Sequence, residues 1–199
     1  CCTEDQEIID DISQNGGRGI LTSSKHRTGT DRIYEALEKL NKTDIDLVMN
    51  LQGDEPLMNI EDIKNLNKLM TETKSKIGTL ASKITNIDFY ENQNIVKVIT
   101  KENLNHSKFS QAINFTRKPK NITKNIYHHL GIYCYQIDIL KNFVSYNQSK
   151  NEIQNKLEQL RALDNNININ VTLAKSSPIG VDTEEDFMAI KKIMEYKSK

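Results

Sequence analysis

The apolar run Leu47 Val48 Met49 ends abruptly in Gln52 Gly53 Asp54 Glu55 Pro56. A strand that only filled a core would not finish with two consecutive carboxylates at its tip. In an open α/β sheet, however, ligands gather at the carboxyl ends of the strands. There Gly53 would let a ligand approach the backbone, Gln52 both donates and accepts hydrogen bonds, and Asp54 is a hard oxygen ligand suited to Mg²⁺. The plainer alternative is a polar turn whose Asp54 or Glu55 complements the N-terminus of the next helix. Asp46 to Asn50 is expected as the buried strand that delivers this motif.

The flanking periodicity fits such a sheet. Ile8, Ile9 and Ile12 suit a short helix stopped at Asn15 Gly16 Gly17, and Ile20–Leu21 reads as a strand. Thr30 and Asp31 are suitable first residues for a helix with Ile33, Ala36, Leu37 and Leu40 on one face. Ile60 to Met70 reads as helix. The texture then changes: Gly78 to Ile84, Ile95 to Thr100, Ile113 to Phe115 and His129 to Gln136 read as strands, with polar loops joining the first three. Asp138 starts a helix with Leu140, Phe143 and Val144; Ile153, Leu157, Leu160 and Leu163 predict one continuous amphipathic helix. Ile167 to Leu173 alternates as a strand, and Thr183 caps a last helix with Phe187, Ile190 and Ile193 inward. The class is α/β, a mostly parallel Rossmann-like sheet with an antiparallel strand-rich part, in a single domain over residues 1–199.

Composition narrows the partners. Lys plus Arg and Asp plus Glu are both 27, and a net charge of zero argues against nucleic-acid binding through bulk electrostatics. Cys1, Cys2 and Cys134 have no metal-like spacing and read as reduced thiols of a cytoplasmic protein. No apolar stretch reaches the roughly 18 residues of a membrane span, so N-x-S/T triplets such as Asn121 to Thr123 are chance matches. The chain opens at Cys1 in mid-pattern, which leads us to expect a segment upstream.

Several further positions carry chemistry. Asp182, in Pro178 Ile179 Gly180 Val181 Asp182 Thr183, is a second strand-end carboxylate; with Asp54 it would make a magnesium pair, and alone it would be a helix-entry residue beside Thr183. His26 Arg27 Thr28 Gly29 Thr30 Asp31 Arg32 is a polar loop entering a helix whose free amides favour an anion or a polar base edge, without the ending of a Walker loop. Alternation puts His129, Gly131, Tyr133 and Tyr135 on one face, either as ligand contacts or as packing with hydroxyls at the rim. Arg117 ends a strand, where it would fork onto a carboxylate or stay solvated. Glu158 and Arg161 are explained by an i,i+3 ion pair, and Gln159 is unassigned.

In this order the stretches TGTDRIYEAL, NLQGDEPLMN, NIVKVIT, NFTRKP, HHLGIYCY, KLEQLRAL and IGVDTEEDF resemble the 3-deoxy-manno-octulosonate (Kdo) cytidylyltransferases, the CMP-Kdo synthetases. The resemblance implies a nucleotide-diphospho-sugar-transferase-like fold and a cytoplasmic homodimer. It also implies magnesium-dependent transfer of CMP from CTP to Kdo for lipopolysaccharide biosynthesis. By this resemblance Asp54 and Asp182 hold the metal, Gln52, Gly29 and Arg32 hold cytidine, and Arg117, His129, Tyr133, Glu158 and Gln159 surround the sugar. The family's opening loop of the kind S-x-R-x-P-G-K has no counterpart here, and Thr28 and His128 stand where serine and lysine are expected. A non-catalytic remnant and a cytidylyltransferase for another acidic sugar are the competing expectations.

Overall fold

The computed structural model describes residues 1–42, 44–119, 124–177, 180–181 and 183–197. Asp182 and the Asn121 to Thr123 triplet lie outside the described residues. Strand β1 (Cys2–Thr3) pairs in parallel with β2 (Ile20–Leu21). Between them α1 (Gln6–Gln14) starts on the Asp5 carboxylate, which accepts the Glu7 N–H, and is followed by Gly16 at φ 77, where glycine carries no Cβ penalty. Helix α2 (Gly29–Leu40) is capped by Thr28, not Thr30, because the Thr28 hydroxyl accepts the Asp31 N–H. Thr30 is thereby one turn position further in and almost fully buried.

The main sheet has the order β3-β7-β4-β8-β6-β5, built from β3 (Leu47–Asn50), β4 (Ile77–Ser82), β5 (Lys97–Thr100), β6 (Ser110–Thr116), β7 (Ile126–Gln136) and β8 (Ile169–Leu173). β4 and β8 are parallel neighbours, while β7 runs antiparallel to β3, β4 and β5. The sheet is thus mixed: β3, β4, β8 and β5 share one direction, but the long β7 interleaves between them. Its contact with β5 closes β4, β8, β6, β5 and β7 into a ring. The fully buried β4 explains the run of Ile77 to Ala81. β3 corrects the expectation of a buried strand. Among the described residues it pairs with β7 alone, so it lies at the sheet edge with Leu47, Val48 and Met49 half-buried.

Two apolar layers sandwich the sheet. One holds Ile77, Val98, Phe115, Tyr133, Tyr135 and Val171 against Leu140 and Phe143 of α5 (Ile137–Ser145) and Leu160 of α7 (Leu160–Asp164). The other holds Leu80, Leu130, Ile132 and Cys134 against Leu66 and Met70 of α3 (Ile60–Thr73). Asp62, 1% exposed in α3, accepts the backbone N–H groups of Lys175 and Ser176 at 2.9 and 3.4 Å, which fixes the chain as it leaves β8. A short α4 (Asp88–Glu91) lies between β4 and β5. In α8 (Glu184–Lys197) the Thr183 hydroxyl accepts the Asp186 N–H as expected of a cap. Ile190 is buried, but Phe187 is half-exposed, contrary to its expected inward position.

The single helix expected through Ile153 to Leu163 is broken. α6 (Lys150–Asn155) ends at Lys156, in the left-handed region at φ 53, and α7 restarts after Gln159. Glu152 is the reason for the early helix. It closes a capping box with Ser149 and is also the main partner of Arg161. The expected pairing of Arg161 with Glu158 is therefore replaced by one with Glu152 and, at 3.4 Å, Asp31.

Candidate active site

The site is organised by an irregularity in β7. Thr79 of β4 is opposite Tyr133, but the next residue, Leu80, is opposite Leu130, so Gly131 and Ile132 form a bulge. The Thr79 hydroxyl fills it. Its one hydrogen is donated to the Ile132 carbonyl at 2.6 Å, so towards His129 Nε2, 3.0 Å away, it acts as acceptor. Nε2 of His129 therefore carries the ring proton. Burial, reinforced by His128, pushes His129 down to about 3, which keeps the imidazole neutral. Its ring meets Phe115 edge-on at 5.1 Å and Tyr133 at 5.3 Å; Tyr133 stacks on Tyr135 at 5.8 Å. The alternation expected of His129, Tyr133 and Tyr135 is thus realised as a continuous ring ladder on one face. Burial raises the Tyr133 and Tyr135 hydroxyls, so both are hydrogen-bonding phenols rather than anions.

The tip of β3 folds over that bulge. Tyr133 is opposite Asn50, and the chain beyond carries Gln52 onto Gly131, where an added Cβ would lie 3.2 Å from Gln52 Oε1. The Gly131 N–H donates to Glu55 Oε1 at 3.5 Å. Glycine here is a requirement of close approach rather than of backbone angle. Asp54 is exposed on the turn, and its carbonyl accepts the Val181 N–H at 2.8 Å. That bond anchors the segment preceding α8 on the Asp54 turn. Gly53, Asp54, Pro56, Val181 and α8 side chains including Phe187 and Lys191 line a groove of about 920 Å³. Among the described residues no cluster of three metal-ligating side chains occurs, but an exposed carboxylate is an appropriate oxygen donor for a hard divalent ion.

A second wall comes from the broken helix. Breaking it after Lys156 puts Glu158 and Gln159 at the start of α7, against the N-terminus of α2. Burial raises the Glu158 carboxyl above its usual range, opposed by the Thr30 and Thr28 hydroxyls and by Arg161. Its Oε1 is buried without a hydrogen bond, a costly arrangement unless something else supplies a donor. Thr30 Oγ1 also reaches the Tyr135 hydroxyl at 3.4 Å, joining this wall to the ladder. Arg27, Thr28, Gln148, Glu158 and Lys156 are among the residues that rim a polar cavity of about 430 Å³. Nothing lies within 4 Å of a Cβ added at Gly29, which is the first residue of α2. Arg32 is already engaged. It pairs with Glu4 and donates to Thr22 Oγ1 at 2.8 Å and to the Ser23 carbonyl, tying α2 to β1 and β2.

Arg117, past the end of β6, donates from Nη1 to the carbonyls of Gln93 and Asn94, both at 3.0 Å. The fold thus brings Gln52 to Gly131, Glu158 to Thr30 and Tyr133, and His129 to Tyr133. Arg117 is linked to that ladder through Phe115, two residues before it. Thr79, Glu152 and Arg161 were not foreseen as site residues. The sequence signal for Arg161 was Ser149 three residues before Glu152, which marks a helix start.

The mixed sheet with a carboxylate-bearing strand-end turn and a polar-aromatic strand face is the architecture of the nucleotide-sugar nucleotidyltransferases. The cytidylyltransferase family profile matches residues 2–169. The 3-deoxy-manno-octulosonate cytidylyltransferase of Thermodesulfovibrio yellowstonii is 44% identical over 96% of this chain and 79% of its own length. The enzyme of the same name from Francisella tularensis subsp. holarctica is 37% identical over the same shares. The structure of CMP:2-keto-3-deoxy-manno-octonic acid synthetase complexed with CTP superposes with a TM-score of 0.85 at 28% identity, covering 98% of this chain and 80% of that one. The chain belongs to the cytidylyltransferase family, and within it to the 3-deoxy-manno-octulosonate cytidylyltransferases.

Proposed function

We propose that this protein transfers CMP from CTP to 3-deoxy-D-manno-octulosonate. The anomeric hydroxyl of the sugar attacks the α-phosphorus of CTP, a new P–O bond forms as the α–β bridging bond breaks, and pyrophosphate leaves. The observation that carries the reading is the 44% identity over 96% of the chain. In such a transfer the protein mainly positions the reactants and neutralises charge, and orientation removes much of the barrier.

The residues take the following roles. Gln52, held over Gly131, hydrogen-bonds the cytosine edge, and Gly29 leaves room for the nucleoside at the α2 N-terminus. Arg32, bound to Glu4 and Thr22, positions that helix rather than touching the base. Arg117 binds the sugar carboxylate. His129, neutral, hydrogen-bonds a sugar hydroxyl and not the carboxylate. Tyr133, Glu158 and Gln159 receive the remaining hydroxyls, with Glu158 Oε1 accepting a hydrogen bond that the protein itself does not supply. Asp54 and Asp182 would hold Mg²⁺, which when bound would neutralise phosphate charge and favour ionisation of the attacking hydroxyl.

A cytoplasmic homodimer is part of the same proposal. Cys1, Cys2 and Cys134 form no disulfide, which suits the cytoplasm; burial raises the Cys134 thiol to about 11 and so makes it unreactive. Among the described residues no helix is long and apolar enough to cross a membrane. Incubation with CTP, Kdo and Mg²⁺ should release pyrophosphate and form CMP-Kdo, with chelation of the metal abolishing both. No release above background rejects the activity; turnover of another acidic sugar in preference to Kdo reassigns the acceptor. Light scattering reads the dimer directly.

A further inference from the structure

Lysine is almost never fully buried unless its charge is paired, yet Lys97 in β5 has 0% exposure. Its ammonium is held by the backbone carbonyl of Asn92 at 2.6 Å and by that of Arg117 at 3.0 Å. The Arg117 guanidinium in turn spans back to the carbonyls of Gln93 and Asn94. The two cations therefore cross-stitch one loop to the end of β6 through four carbonyls. Burial, with the nearby Arg117 charge second, lowers the Lys97 pKa. Among the described residues no carboxylate lies within ion-pair distance of either cation. Carbonyl dipoles solvate positive charge but do not cancel it, so this corner of the fold carries excess positive charge. Among the described residues the Arg117 guanidinium donates from Nη1 alone. Its Nε and Nη2 edge has no hydrogen bond to the described residues, and that edge matches a carboxylate in two-point contact.

We infer that Lys97 is a positioning residue for the anionic end of the acceptor sugar: it fixes the main chain of Arg117 and the loop 92–94 so that the open guanidinium edge meets a carboxylate. Its uncancelled charge strengthens that attraction without touching substrate. This rests on the reading of Arg117 given above, and it goes beyond it by assigning selectivity for an acid over a neutral sugar to a buried residue.

The test is calorimetric titration of the full protein with Kdo, with the carboxamide of Kdo and with CTP, for wild type, Lys97→Met and Lys97→Arg. Lys97→Met should weaken Kdo by about tenfold or more while the carboxamide and CTP stay within about twofold, and Lys97→Arg should retain most of the preference for the acid. Should the methionine variant not fold, Lys97→Gln removes the charge while keeping an amide donor and gives the same reading. Equal weakening of acid, carboxamide and CTP, or an unchanged acid-to-carboxamide ratio, overturns the inference. A wild type that forms CMP-Kdo but binds acid and carboxamide alike overturns it while leaving the proposed function standing. A wild type that binds no sugar acid overturns both.

Discussion

Replacing Arg161 by methionine isolates the buried tie between α6, α7 and α2. Arg161 is 1% exposed, donates to Glu152 from Nε at 2.9 Å and from Nη2 at 2.6 Å, reaches Asp31 at 3.4 Å, and lies 4.6 Å over the Phe143 ring. Methionine keeps much of the packing but leaves Glu152, itself 3% exposed, as an unmatched buried charge. Breaking one side of such a pair costs about 3–5 kcal/mol, which is roughly 10 °C of Tm for a domain of this size. The pH dependence is specific. Burial alone would raise the Glu152 carboxyl, but Arg161, Gln148 and the Ser149 N–H together hold it below its ordinary value. Its contribution to stability is thus present above its unfolded pKa and lost as pH falls through the lower folded value. In the variant the folded pKa rises instead, so the deficit should be greatest near neutrality and shrink on acidification. Urea denaturation of Arg161→Met, Glu152→Gln and the double variant measures all of this, and the double variant should recover much of the loss because no lone charge remains. A loss below about 1 kcal/mol, additive single effects, or a deficit independent of pH refutes the reasoning.

Three other outcomes follow from the geometry. Asp54→Asn should lower turnover by orders of magnitude with an unchanged melting curve, since the side chain is exposed; wild-type rates would remove it from the metal site. Gly131→Ala places a methyl 3.2 Å from Gln52 Oε1 and should raise the KM for CTP more than that for Kdo; equal KM values show that Gln52 does not hold the base. His129, held to about 3, should show no ring-nitrogen titration between about pH 5 and pH 8, and because the unfolded chain takes up that proton first, its share of stability should fall as pH drops below about 6.5. A titration midpoint near neutrality would contradict the neutral tautomer.

Legibility from sequence followed the range of the interactions. The apolar periods of α2, α3 and α5, the strand-end turn at Gln52 to Pro56 and the shared face of His129, Tyr133 and Tyr135 are local patterns, and they were readable. The edge position of β3 was not, because burial of Leu47, Val48 and Met49 depends on which strands flank them. The break between α6 and α7 was hidden because Ile153, Leu157, Leu160 and Leu163 keep helical spacing through it. What overrides that spacing is a contact across the fold, from Arg161 to Glu152 and Asp31. The role of Thr79 depends on a register shift in a neighbouring strand, which no local pattern encodes.

The two hidden features are also the ones that assemble the site. Without the bulge, Gly131 would pair regularly with β4, and its N–H and open surface would not be free for Glu55 and Gln52. Without the helix break, Glu158 would face along a continuous helix instead of towards Thr28, Thr30 and the tyrosine ladder. The bulge leaves backbone groups that need a partner, which the buried Thr79 hydroxyl supplies, while at the helix break the Lys156 and Leu157 N–H groups turn back onto the Glu152 carbonyl. Thr79→Val should therefore act on two levels. It leaves the Ile132 carbonyl and the His129 Nε2–H without their partner, at a cost of about 1–3 kcal/mol. It also frees the imidazole to turn, so the KM for Kdo should rise in a variant that still folds. A Thr79→Val protein of lowered stability but unchanged KM would show that the bulge is scaffolding alone and that His129 is oriented by its ring neighbours Phe115 and Tyr133.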